Sequence, residues 1–191
     1  MAQSKSFCEM YRISHDGEYA TICVAAWANK QDGQHPSFGG EILVHSSFGA
    51  FCNTWSNCAE PFKQFLTGIR FDSFMQKCLG NDFKVFDGEA SIKQVKRAFL
   101  RLRRARVIDA DTAEEFWGDL EGFADGAASS EESFYRELYD FCENLDGMGE
   151  PGDYVVHAPC QQATGFWQQL WPIFKTMLES ELNAAPLLEE N

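Results

Sequence analysis

The sequence lacks any long hydrophobic run. No segment approaches the roughly 18 successive apolar residues that a membrane-spanning helix needs. The first ten residues, MAQSKSFCEM, contain no apolar core of a signal peptide. We therefore expect a soluble, cytoplasmic protein with no signal peptide and no membrane partner. Hydrophobic residues still make up 45% of the chain, enough for a folded globular core.

Motifs that would identify an enzyme or a metal centre are also missing. The sequence contains no G-x-S-x-G and no H-E-x-x-H, and Gly39-Gly40 precedes a predicted strand rather than a phosphate-binding helix N-terminus. No two histidine or cysteine ligands have the close spacing that is typical of zinc sites. A site built from His45, Cys52 and Cys58, with or without His35, is therefore not expected, and we predict no metal and no cofactor.

The cysteines show neither the number nor the spacing of a disulfide framework. Their count is odd, at 7, and they are scattered along the chain, several among apolar or aromatic neighbours. Buried free thiols of this kind are typical of a reducing compartment, which agrees with the predicted cytoplasmic location.

The first third of the chain has the alternating pattern of β-strands. Asp16-Gly17 is a strong hairpin signal between the first two, a second turn is predicted at Phe48-Gly49, and the polar segment 28–40 predicts a loop. The predicted strands are Phe7–Ser14, Tyr19–Trp27, Glu41–Ser47 and Ala50–Ser56.

From Pro61 onward the hydrophobic period becomes that of α-helices. A strand-rich segment, 7–56, therefore precedes a helix-rich segment, 61–182, and 183–191 is predicted to be a frayed tail. Because strands and helices do not alternate, we predict a single α+β domain over 1–191. Its N-terminal four-stranded antiparallel meander would pack against about five C-terminal helices. Further short strands are predicted at 82–87 and 154–157, and Pro172 should interrupt the last helix, 164–182.

Charge is distributed very unevenly around the formal net charge of −13. Residues 93–106 form an amphipathic helix with seven bases and no acid, whereas residues 107–146 carry thirteen acids and one base. Capping boxes at Asp111–Glu114 and Ser129–Glu132 predict two helices within this acidic block. The basic helix could contact nucleic-acid phosphates. We favour the alternative that it lies beside the acidic helices and neutralises part of their charge.

The acidic block provides the best candidate for a binding surface. Its carboxylates would repel nucleic acid and attract a basic protein surface, in the way that closely spaced phosphates of duplex DNA do. A role in solubility alone is the alternative. The candidate partner-binding residues are Glu114, Glu115, Asp119, Glu121, Glu132, Asp140 and Glu143.

A weaker candidate for a catalytic site lies in the hairpin around His45. If its turn is Phe48-Gly49, cross-strand pairing places His45 opposite Cys52, and the histidine could activate the thiol as a nucleophile. Glu41 lies on the same strand face and could orient the imidazole ring. A three-residue turn would instead place His45 opposite Asn53 and remove the pairing.

Several segments resemble a family of small acidic proteins encoded by phages and prophages. The matching segments are Tyr11-Arg-Ile-Ser14, Gly39–Gly49, Pro61–Leu66, Val85–Glu89 and Gly165–Pro172, so the similarity extends over most of the chain. The resemblance carries over no catalytic residue. It implies a protein in the cytoplasm of a bacterial host, of a kind that often binds and blocks defence complexes, as anti-CRISPR proteins do.

Together these features favour a non-enzymatic phage protein that binds and inhibits a host defence or nucleic-acid-handling complex, by acidic mimicry of nucleic acid. Its partner would be a host protein with a basic surface, with no direct binding of nucleic acid. Two alternatives remain, a small enzyme that uses the His45 hairpin and a phage accessory or assembly protein. The oligomeric state stays open.

Overall fold

The computed structural model describes residues 7–29 and 36–184. The chain forms two compact units, each of which is described by itself. The first, the sheet unit, comprises Met1–Phe83 and Pro159–Asn191, and the second, the helical unit, comprises Lys84–Ala158. Each has its own cluster of buried apolar side chains. The α+β class is confirmed, and a single domain over 1–191 stays a prediction.

A four-stranded antiparallel meander forms the sheet unit's scaffold, as the sequence predicts. Asp16 and Gly17 both take positive φ, 50° and 87°, and join β1 to β2 in the two-residue turn that an Asp-Gly pair favours. The strands, in spatial order, are β1 (Glu9–His15), β2 (Glu18–Asn29), β3 (Ser37–Ser46) and β4 (Gly49–Cys58).

One face of this sheet carries the core of the unit, and the other is open to solvent. Alternation along β2 and β3 buries residues such as Ile22 and Ile42, which are fully inaccessible. Gly40 lets α1 lie close to the sheet, because a Cβ at this position would overlap the ring of Phe62. The helices of the unit are α1 (Phe62–Gly68), α2 (Phe71–Leu79), α6 (Gln161–Gly165) and α7 (Trp171–Ala184).

The helix break predicted at Pro172 lies one turn earlier, where Phe166–Leu170 form a π-helical turn between α6 and α7. Proline donates no N–H and crowds the preceding turn, and a π-turn accommodates both effects. The segment forms core contacts rather than an exposed patch, since Phe166, Leu170 and Trp171 are buried.

A polar cluster links three elements of the sheet unit. The Tyr11 hydroxyl on β1 donates to Glu181 Oε2 on α7 over 2.9 Å, and Lys63 Nζ on α1 pairs with the same carboxylate over 2.8 Å. Lys63 also pairs with Glu9. Burial raises the pKa of the Tyr11 phenol to about 12, so this hydroxyl keeps its proton at neutral pH.

Three helices form most of the helical unit. Two short strands, β5 and β6, pair with each other, and a 3₁₀ turn at Pro151–Tyr154 follows α5. The bounds are β5 (Lys84–Phe86), α3 (Gly88–Arg104), α4 (Ala110–Ala128), α5 (Glu131–Glu143) and β6 (His157–Pro159). Within the described ranges, no helix is both long and apolar enough to cross a bilayer.

Several predicted boundaries are wrong. In the predicted loop 28–40, residues 28–29 belong to β2 and 37–40 to β3, while 30–35 lie outside the described residues. The N-cap of α4 is Asp109, two residues before the predicted Asp111, because the Asp109 side chain accepts from the Thr112 N–H. Helix α5 is capped by Ser130 rather than Ser129. The last strand is 157–159 instead of 154–157, and α7 extends to Ala184, beyond which the predicted tail is outside the described residues.

Candidate partner-binding surface

Two well-capped helices, α4 and α5, present the predicted acidic residues. Each buries one apolar stripe in the core of the helical unit, with Leu120 on α4 and Phe134 and Leu138 on α5 fully inaccessible. Polar positions between these apolar ones must then face outward, because helix side chains recur on one face every three to four residues.

The structure places all seven candidate carboxylates in solvent-exposed positions. We refer to this set as the acidic surface: Glu114, Glu115, Asp119, Glu121, Glu132, Asp140 and Glu143. Helix α4 alone carries six exposed carboxylates between Asp111 and Asp125, with no base anywhere in the helix. At about 1.5 Å per residue this segment is ~21 Å long, or one carboxylate per ~4 Å. One strand of DNA carries a phosphate per ~3.4 Å of axis, so the linear charge densities are similar.

Basic residues neutralise little of this surface. Lys96 on α3 pairs with Glu121 over 3.3 Å and lies 5.4 Å from the ring centroid of Trp117. Arg136 on α5 pairs with its neighbour Glu137 over 3.0 Å. Within 7–29 and 36–184, the Lys96–Glu121 pair is the only ion pair that joins the basic helix to α4 or α5. The predicted pairing between segment 93–106 and the acidic helices is therefore limited to this one contact.

A groove of about 560 Å³ runs between α4 and α5. Its apolar lining comes from three phenylalanines, of which Phe116 and Phe123 each pack edge-on against Phe141 with ring centroids 5.6 Å apart. Gly118 and Gly122 leave part of one wall without side chains. A Cβ on either glycine would lie in open space, with no atom within 4 Å. The groove therefore combines an aromatic lining with an acidic rim that consists of Asp119, Glu137 and Asp140.

The His45 hairpin does not form the predicted catalytic pair. Its turn is Ser47-Phe48, so His45 lies opposite Ala50, and Cys52 lies opposite Leu43. Both side chains face solvent, and the His45 ring contacts Tyr19, with centroids 6.0 Å apart. The predicted pairing of His45 with Cys52 is wrong. Glu41, opposite Thr54, is likewise a residue of the open sheet face.

The described residues considered for a metal site, His45, Cys52 and Cys58, do not form one. Cys58 is buried in the core of the sheet unit, where burial raises the pKa of its thiol, and Cys52 is exposed. His35 lies outside the described residues. Elsewhere in the described chain, no group of three or more His, Cys, Asp or Glu side chains is arranged to hold a metal ion. All seven cysteines are free thiols, as the sequence predicts, but only Cys58 and Cys142 are buried, and Cys8 and Cys52 are exposed.

Comparison with models of protein families identifies the family to which the chain belongs. The model Phage_phiTE_072, described as a phage family, matches residues 1–178. The chain belongs to this phage family. No curated protein and no solved structure matches the phage protein. The resemblance to phage-encoded proteins is thereby confirmed, and its anti-defence component stays a prediction.

Sequence reasoning overlooked some functional candidates of the phage protein. Tyr135 and Tyr139 on α5 remain 44% and 61% exposed, and they line a cleft in the helical unit. The sequence could have indicated this pair, because the two tyrosines are four residues apart and lie outside the apolar stripe of α5. This spacing places two aromatic rings on one exposed helix face. Gly118 and Gly122 were also missed, although two glycines four apart inside a helix indicate a low surface.

Proposed function

We propose that the phage protein binds a basic surface of a host protein through its acidic surface, and that it thereby inhibits a host defence or nucleic-acid-handling complex. The single observation that carries the proposal is the groove between α4 and α5. Its lining is aromatic and its rim holds Asp119, Glu137 and Asp140, with no lysine or arginine among the lining residues.

The groove supports binding rather than solubility alone. Dispersed carboxylates are sufficient to keep a small protein in solution. An apolar lining exposed between two helices has no such role, and exposed apolar area enclosed by polar residues is characteristic of interaction sites. A basic helix or loop would bury its apolar residues on Phe116 and Phe123 and pair its cations with the rim.

The charge spacing supports a partner that normally binds nucleic acid. A surface with carboxylates at nearly the linear density of a DNA strand competes for the lysines and arginines that neutralise phosphates. Binding would then exclude the natural ligand from the partner, which is sufficient for inhibition without catalysis.

The test compares capture of host proteins by three forms of the phage protein in nuclease-treated bacterial lysate. The first is the unmodified chain, and the second carries the neutralising substitutions Glu115→Gln, Asp119→Asn and Asp140→Asn. The third is a matched control that neutralises three exposed acids of the sheet unit: Asp16→Asn, Asp72→Asn and Asp82→Asn.

We expect a stoichiometric partner that the unmodified and control proteins retain and the second variant loses. Duplex DNA should displace the captured partner, and raising salt from 50 to 200 mM should weaken capture at least tenfold, because several charges are neutralised together. A partner retained equally by all three forms, or unaffected by competing DNA, would contradict the proposal. A stable homo-oligomer with no host partner would favour the assembly alternative.

A further inference from the structure

A cleft of about 810 Å³ lies in the helical unit, between α5 and the turn that precedes β6. It is separate from the α4–α5 groove, with which it shares no lining residue. Its walls include Tyr135 and Tyr139, which are spaced by one helical turn on α5. The floor is apolar and polarisable, with the Cys142 thiol and the Met148 thioether among its groups.

Three carboxylates surround these tyrosines: Glu143, Glu150 and Asp153. No lysine or arginine lines the cleft, and none of the three forms an ion pair with any base in the described part of the chain. Burial raises the pKa of the Cys142 thiol to about 11, with a contribution from the charge of Asp153. The thiol is therefore neutral at pH 7, and the net charge of the lining is that of its carboxylates.

Hydrogen bonds hold the outer wall of the cleft in place. The Glu150 N–H donates to Asp153 Oδ2 over 3.1 Å, which fixes one carboxylate relative to the turn. The Gly149 N–H donates to the Tyr154 hydroxyl over 2.8 Å, which ties the same turn to the core of the unit. A wall fixed in advance loses little conformational freedom when a ligand binds.

These features select a cation that also has a planar or apolar portion. An anion would be repelled by the carboxylates, and a purely apolar group would desolvate them without pairing. The arginine side chain satisfies both demands, since its guanidinium stacks on aromatic faces and pairs bidentately with carboxylates. Its aliphatic stem can pack on Met148 and Cys142.

We propose that this cleft binds an arginine side chain of the partner, as an anchor at the edge of the acidic surface, with which the cleft shares Glu143. The inference rests on the proposed function for the identity of the partner, but the cleft's preference for arginine can be tested without it.

The probe is N-acetyl-arginine amide, titrated into the full chain labelled at its methionine methyl groups. Two matched probes are N-acetyl-citrulline amide, which has nearly the same shape without the charge, and N-acetyl-lysine amide. We expect saturable shifts of the Met148 methyl signal with the arginine probe, weaker binding of lysine and none of citrulline. Equal response to citrulline, or to lysine, would overturn the proposal.

Variants locate the binding. Tyr139→Ala should weaken the arginine probe about threefold to fivefold through loss of one cation–π contact, and Tyr139→Phe should retain affinity because the ring remains. Glu143→Gln should also weaken binding. Tyr19→Ala on the open sheet face and Asp72→Asn on α2 of the sheet unit are the controls, and both should leave the affinity unchanged, because neither residue lines the cleft.

The two proposals fail separately. The triple variant of Glu115, Asp119 and Asp140 leaves every lining residue of the cleft intact, so it should bind the arginine probe normally even where it loses the host partner. If the triple variant lowers the affinity for the probe and Tyr139→Ala does not, the probe is held by diffuse electrostatic attraction. That result would refute the cleft as the binding site.

Discussion

Replacing the glycines on the exposed side of α4 by alanine should stabilise the protein. Gly118, Gly122 and Gly126 lie four residues apart inside this helix, and an added Cβ would contact nothing within 4 Å at any of them. Glycine is about 0.8–1.0 kcal/mol less favourable than alanine in a helix interior. The triple variant should therefore gain roughly 2–3 kcal/mol, because nothing in the native packing opposes the new methyl groups.

Urea unfolding followed by circular dichroism measures this gain, and thermal unfolding should show Tm higher by roughly 5–10 °C for a chain of this length. Gly88→Ala is the opposing control, since its Cβ would overlap the backbone of Ala128 and should destabilise the protein. A triple variant that is less stable than the parent would refute the reasoning, because it would show that the open side of α4 is occupied in the free protein.

The same substitutions separate stability from binding. Gly118 and Gly122 line the α4–α5 groove, whereas Gly126 does not. Gly122→Ala should therefore raise the free energy of unfolding and weaken capture of the partner, because a methyl group would narrow the groove. Gly126→Ala should raise stability equally and leave capture unchanged. Equal effects of the two substitutions on capture would contradict a role for the groove.

Three further outcomes follow from contacts in the two units. Gly40→Ala should destabilise the sheet unit by about 1–3 kcal/mol, because the methyl group would displace Phe62, and Gly68→Ala, with open space around it, is the control for urea unfolding. The hydrogen bond with Lys63 lowers the pKa of Glu181 below its ordinary value of 4.5. The ionised carboxylate therefore stabilises the folded protein above the unfolded-state pKa, and this stabilisation is lost as the pH falls through the lower pKa of the folded state. Between pH 6 and 3, the urea midpoint should fall less in Glu181→Gln than in the parent. Lys96→Met should cost less than about 1 kcal/mol, since its ion pair is partly exposed, and most of that loss should disappear in 0.5 M salt.

Local sequence signals predicted the elements well where a single residue type decides the conformation. The Asp16-Gly17 turn formed as expected, because both positions need positive φ and this pair tolerates it. The exposure of the seven carboxylates followed from helical periodicity alone, which requires no knowledge of distant contacts.

The register of the β3–β4 hairpin could not be predicted in this way, because the turn involves side-chain contacts that no residue-type preference specifies. The Ser46 hydroxyl donates to the Gly49 carbonyl over 2.8 Å and accepts from the Phe48 N–H, which closes the turn at Ser47-Phe48. Phe48 packs against Gly165, where a Cβ would overlap its ring. The turn lies one residue earlier than predicted, so His45 is opposite Ala50 rather than Cys52.

The composition of α4 argues that its surface is shaped for binding rather than for solubility. Acidic residues alone would serve solubility, and alanine between them would give a more stable helix than glycine. Gly118 and Gly122 instead lower stability where they open a groove with an aromatic lining and an acidic rim. A sequence that departs from the local rules of stability does so most often at functional sites. Charge neutralisation and glycine substitution therefore test one hypothesis from two independent directions. A solubility role predicts that only the charges matter, whereas a docking role predicts that the Gly122 methyl matters as well.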